Sequence, residues 1–176
     1  KRQRPNDKSP KTMTDEQYKY YLSKASQICA GKEKCSQDIR NKLMQWGVEK
    51  QDGERILMEL INSDFINHQR YARAYAKDKL HFNHWGKNKI TYALRTKNIE
   101  EGLIQEALQQ LPQEQYESAL RDEMEKKDRA LKTKDIGQRK NKLLQYLLQK
   151  GFEYGKVFEF VNTKIEEHQK HEQNPN

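Results

Sequence analysis

Three short apolar patterns with identical spacing constrain the fold of this chain more than anything else in it. Ile39–Leu43–Gly47–Val48 recurs as Ile90–Leu94–Asn98–Ile99 and again as Leu143–Leu147–Gly151–Phe152, with steps of four, four and one each time. Apolar residues four apart share one helical face. Gly or Asn then tolerates the left-handed backbone that ends a helix, and the apolar residue after it can fold back onto the last turn. The copies start 51 and then 53 residues apart, a period that reads as a repeated helical unit.

A further apolar triplet follows each copy, at steps of three and one: Leu57-Leu60-Ile61, Ile104-Ala107-Leu108 and Val157-Phe160-Val161. In this register the connection from Val48 to Leu57 spans nine positions against five in the other two copies, so a longer turn is expected in the first. A longer helical stretch leads into each pair, at 14–30, 67–82 and 113–131. Thr14-Asp15-Glu16-Gln17 has the form of a capping box, and Tyr18, Tyr21, Leu22, Ala25 and Cys29 then make one stripe. Ser36 is expected to open the second helix, Pro112 sits where a first-turn proline is tolerated, and Asp135…Gln138 is shaped like another capping box.

The expected fold is all-α: an elongated, curved array of three tandem three-helix repeats, nine helices in total. The expected boundaries are a disordered basic tail over 1–13, repeats over 14–63, 64–111 and 112–167, and a frayed C-terminus over 168–176. Composition agrees with thin units better than with one thick globule. Leu, Ile, Val and Phe are only 33 of the 176 residues and the mean hydropathy is −1.24, so each unit must bury one face against the next.

Three stretches resemble the RecX family of regulatory proteins: CSQDIRNKLMQWGV (35–48), DFINHQRYARAYAKDK (64–79) and WGKNKITYALRTKNIEEGLIQEAL (85–108). The second is similar to the family's junction, an aromatic–Ile pair leading into a helix with an Arg-aromatic-Ala trio, here Arg70-Tyr71-Ala72. Asn98 stands in place of the family's usual glycine, and Asn67-His68 where acidic residues are common. The resemblance covers about residues 14–165. It implies a protein that docks in the groove of a RecA–single-stranded DNA filament and limits its growth and its ATPase, strand-exchange and coprotease activities. The partner so implied is a RecA-type recombinase filament, with single-stranded DNA as a second candidate and a monomer as the expected state.

The charge pattern is compatible with such a partner. The formal charge is +8, which favours acidic partners. Stretch 70–97 carries eight basic residues against one acid and 126–142 eight against two, whereas 98–125 between them carries eight acids against one base. Singly, most such charges are solvated helix faces; as blocks of alternating sign they suit a repeating partner. The candidate contact residues are Arg73, Lys77, Lys79, Lys87, Lys89, Arg95 and Lys97, followed by Lys132, Lys134, Arg139 and Lys140. Aromatic residues interleave with them. Tyr71, Tyr75, Phe82 and Tyr92 are assigned to the core by helical spacing, and Trp85 beside Gly86 to the junction between repeats.

Other chemistries find little support. His81 and His84 lie three apart and Cys29 and Cys35 six apart, which suits no common zinc pattern. No phosphate-cradling glycine loop or nucleophile–base arrangement is legible, so no enzyme, cofactor or metal is expected. Two cysteines and no apolar run of membrane-spanning length point to a cytoplasmic protein. A helix-turn-helix reader of the major groove is disfavoured because Glu100, Glu101 and Glu106 would face phosphate. A general nucleic-acid-binding helical repeat protein with no recombinase target stays open as the alternative.

Overall fold

A computed structural model describes residues 13–173; the expected tail over 1–13 lies almost entirely outside them, as do 174–176. Among the described residues there are nine helices and no strands. They group in threes: α1 (Asp15–Gly31), α2 (Ser36–Gln45) and α3 (Lys50–Asn62); α4 (His68–Asn83), α5 (Lys87–Arg95) and α6 (Glu101–Gln109); α7 (Gln113–Ala130), α8 (Ile136–Gln149) and α9 (Tyr154–Gln173). The last helix runs on to Gln173, beyond the 167 at which the apolar pattern stops. The chain divides into two compact units between Tyr71 and Ala72, inside α4.

The repeated pattern produces one repeated cap. Gly47, Asn98 and Gly151 have φ of +76°, +56° and +91°. In each copy the next apolar residue donates its N–H to the carbonyl five residues back: Val48 to Leu43 (3.0 Å), Ile99 to Leu94 and Phe152 to Leu147 (both 3.2 Å). This is the Schellman closure, and it turns the chain sharply into the following helix. Ile39, Ile90, Leu94, Leu143, Leu147 and Phe152 are all fully buried by it.

The longer turn expected in the first repeat is absent. In all three copies a single glutamate, Glu49, Glu100 or Glu153, separates the folded-back apolar residue from the next helix. The register is therefore shifted by four, with Gly53-Ile56-Leu57 equivalent to Ile104-Ala107-Leu108 and Val157-Phe160-Val161. Gly53 hid the match because it brings no apolar side chain. A Cβ there would sit in ordinary contact with Leu43 and Val48, at 3.9 Å from each. Ile61, assigned to the stripe by the wrong register, is 38% exposed.

The first unit is pinned by polar clasps at its loops. Thr14 accepts from Gln17 N–H at 3.2 Å while the Gln17 side chain accepts from Thr14 N–H at 3.1 Å, the full capping box. Arg70 reaches Glu33 at 2.7 Å and Asp64 at 2.6 Å. Asn67 caps α4 by accepting from Arg70 N–H at 3.0 Å and donates to Asp64. At Asp135, by contrast, only half a box forms: it accepts from Gln138 N–H at 2.6 Å, but the Gln138 side chain turns to Thr133.

Cys35, the N-cap of α2, offers no side-chain cap; His68 supplies one from α4. Its Nε2 accepts from Ser36 N–H at 3.3 Å and lies 2.9 Å from the Ser36 hydroxyl. That geometry requires an unprotonated Nε2, and burial pushes the His68 pKa below its usual 6.5. A depressed folded pKa stabilises above the unfolded value and is lost as pH falls through the folded one. Urea unfolding from about pH 7.5 to about pH 5.5 should therefore weaken the first unit, and His68→Gln should reduce that pH dependence. An unchanged slope in the variant would remove His68 from this role.

Candidate functional site

The end of α4, the connection 84–86 and the start of α5 carry Lys77, Lys79, Lys87 and Lys89, all within the second unit. α4 ends at Asn83, and His84 follows it with a φ of +50°. Trp85 N–H then closes back onto Lys79 carbonyl oxygen at 3.1 Å, which sets the half-buried indole at the helix end. Two lysines lie over its ring, with Lys79 Nζ 4.9 Å and Lys89 Nζ 4.7 Å from the centroid. Lys79 also lies 5.3 Å from the Tyr75 ring, and Lys87 lies 5.1 Å from the Tyr116 ring. Rings of this kind hold an ammonium by their quadrupole without neutralising it.

The backbone under this group is locked. Gly86 N–H donates to Lys150 carbonyl oxygen at 2.9 Å and Asn88 N–H to Gly151 carbonyl oxygen at 3.0 Å, so the start of α5 is capped by the end of α8. Lys87 N–H donates to the hydroxyl of fully buried Tyr116 at 3.1 Å, and that hydroxyl donates to Glu153. Burial, with the hydrogen bond to Glu153, pushes the Tyr116 pKa well above its usual range. Beneath His84, buried Glu123 accepts from Tyr146 and Lys150 (3.1 Å) and meets His84 Nδ1 at 3.2 Å. Burial raises the Glu123 carboxyl, but Tyr146 and Lys150 outweigh it and hold it below its usual value. Tyr146 is pushed up to about 12 by burial and by that carboxylate.

The other predicted contact residues have different surroundings. Arg73 pairs with Glu106 and Arg95 with Glu101 (2.8 Å), which is held down to about 2. Lys77 is exposed on α4, and Lys97 is half-buried just past the end of α5. Lys132 and Lys134 are exposed on the α7–α8 connection, and Lys140 Nζ lies 5.1 Å from the Phe158 ring on α9. Arg139 faces inward, bonded to Asp128 and to the carbonyls of Leu131 and Thr133. Of the predicted contact residues, Lys79 and Lys89 are the two that share one ring.

The aromatic assignments are corrected in part. Tyr71 is buried, but Phe82 is 74% and Tyr92 71% exposed. The signal was in the spacing. Phe82 stands two residues beyond Leu80 and Tyr92 two beyond Ile90, roughly half a turn off each buried stripe. Tyr92 has Lys89 and Arg95 as its neighbours three before and three after on the same helical face. Among the described residues no group of histidines, cysteines and carboxylates is arranged to hold a metal ion, and no helix is long and apolar enough to cross a membrane.

Fold and site together define a tandem three-helix repeat protein with a lysine- and aromatic-lined face. Models of the RecX second and third three-helix domains match residues 67–108 and 113–161. The regulatory protein RecX of Clostridium acetobutylicum is 31% identical over 87% of this chain and 72% of its own length. That of Clostridium perfringens is 32% identical over 69% of this chain, a match spanning 57% of its length. A crystal structure of a regulatory protein RecX superposes with a TM-score of 0.72 at 25% identity, covering 86% of this chain and 79% of that one. RecX from Lactobacillus salivarius does so at 0.74 and 20% identity, covering 87% and 99%. The chain belongs to the RecX family of regulatory proteins.

Proposed function

We propose that this protein regulates a RecA-type recombinase by binding its filament on single-stranded DNA. In this reading it suppresses filament growth and the filament's ATPase, strand-exchange and coprotease activities. Family membership supports the partner, and the Lys79–Trp85–Lys89 group is the observation that carries a contact surface. Its lysines are ring-held and mounted on backbone that is already fixed, so little ordering cost accompanies binding. Exposed Phe82 and Tyr92 are suited to stacking on unpaired bases.

The test is DNA-dependent ATP hydrolysis by the cognate recombinase, with this protein titrated in at fixed salt. Wild type should suppress the rate, and a Lys77→Glu/Lys79→Glu/Lys89→Glu variant should need at least about ten-fold more protein for the same effect. No suppression by wild type, with tight binding to bare single strands whose log affinity falls by about 0.7 per phosphate contact and log unit of salt, would instead establish the general nucleic-acid binder.

A further inference from the structure

The three repeats are built alike but finish their outer faces differently. With the left-handed caps aligned, Arg40, Thr91 and Leu144 are equivalent, as are Met44, Arg95 and Leu148; Lys50, Glu101 and Tyr154; and Glu54, Gln105 and Phe158. Repeat 1 spans the gap between its last two helices with Arg40–Glu54 at 2.7 Å, and repeat 2 with Arg95–Glu101 at 2.8 Å. These pairs also measure how close the equivalent positions lie. Repeat 3 puts Leu144–Phe158 and Leu148–Tyr154 in the same places. Tyr154 is 61% exposed, and Leu148 and Phe158 39% and 40%. The two rings stack on each other at 5.8 Å, edged by Lys140.

Hydrocarbon at both places, each of which holds an ion pair in one of the sister repeats, is a departure for a chain this polar, and such patches mark interaction surfaces. Its charge setting indicates the occupant. Beyond the inward-paired Arg139, α8 carries Lys140 and Lys142 and no acid at all. Glu159, the nearest carboxylate on α9, faces α7 instead, in the groove with Arg121 and Met124. We propose that this face of α8 and α9 docks an acidic, amphipathic segment of the recombinase subunit, apolar side chains on Leu148, Tyr154 and Phe158 and carboxylates towards Lys140. The proposal rests on the filament reading above and adds a protein contact separate from the Lys79–Trp85–Lys89 group.

The sister repeat supplies a fold-compatible disruption: Leu148→Arg/Tyr154→Glu installs the Arg95–Glu101 pair at its equivalent positions. In the ATPase titration wild type should suppress hydrolysis, while this variant, with an unchanged melting temperature, should need at least about ten-fold more protein. Equal suppression by both would overturn the docking face and leave the filament reading intact; no suppression by wild type would remove both. A photo-reactive benzoylphenylalanine in place of Tyr154 keeps the question open to test should the double variant melt early. It should cross-link to an Asp- and Glu-bearing peptide of the recombinase. Cross-links to DNA, or to a second copy of this chain, would overturn the proposal.

Discussion

Gly86→Ala should destabilise the second unit by about 3 kcal/mol or more, enough to be seen as a large loss in urea or thermal unfolding. A Cβ at Gly86 would stand 2.2 Å from both Gly151 C and Phe152 N. Those are backbone atoms and cannot swing aside as a side chain can. Two hydrogen bonds, Gly86 to Lys150 and Asn88 to Gly151, form only because the two chains approach this closely. Displacing α5 also strips Lys87 N–H from the buried Tyr116 hydroxyl, and each orphaned buried group costs about 1–3 kcal/mol. Gly102→Ala provides the contrast, since its Cβ meets nothing within 4 Å; inside α6 it should stabilise by roughly 0.5–1 kcal/mol. Similar unfolding midpoints for the two variants would show that the seam yields more easily than its geometry implies. Because stability in repeat arrays is passed between neighbours, Gly86→Ala should also weaken the suppression assigned to the lysines mounted on that seam.

The repeat, its caps and its apolar stripes were legible because each is a local rule: a spacing of four, then a residue permissive of positive φ. The seam at Gly86 was not. Its equivalents are Cys35 in the first repeat and Arg139 in the third, so nothing periodic marks the position, and its partners at Lys150 and Gly151 lie more than sixty residues away. Gly53 misled in the opposite way, since an apolar pattern slipped by one turn satisfied the spacing as well as the true register did. At the candidate site, counting charges located the basic stretch but not its state. Arg73 and Arg95 are matched by Glu106 and Glu101 from the acidic block that follows, and pairing across helices cannot be read from sequence spacing. Lys79 and Lys89 are ring-held because Trp85 stands between them. The outer face of repeat 3 was within reach of the sequence, since Leu148 and Tyr154 break the pattern Arg95 and Glu101 set. The ion pairs seen in the structure give that break its meaning.

Arg139→Ala separates a structural arginine from a binding one, and its expected cost is about 3–5 kcal/mol. α8 begins seven residues before its first buried leucine, Leu143, whereas α2 and α5 begin three before Ile39 and Ile90. Arg139 sits on that extra turn and reaches back to the connection after α7, donating to Asp128, Leu131 and Thr133. Its side chain is 16% exposed and that of Asp128 7%. Burial raises the Asp128 carboxyl, but His168, at 2.7 Å, and Arg139 outweigh it and hold it below its usual 3.8. Removing the guanidinium strands a buried carboxylate and frees the carbonyls of the connection that carries Lys132 and Lys134. The sign of the pH dependence follows. A depressed carboxyl stabilises above its unfolded pKa and ceases to as pH falls through its folded value, so the deficit of Arg139→Ala against wild type should shrink in acid. A deficit from lost packing alone would not change with pH. Arg139→Lys should recover only part of the loss, because one ammonium cannot span the acceptors a planar fork reaches. A variant that unfolds like wild type yet fails to suppress the recombinase would return Arg139 to the contact surface. The expected result leaves that role to Lys132, Lys134 and Lys140.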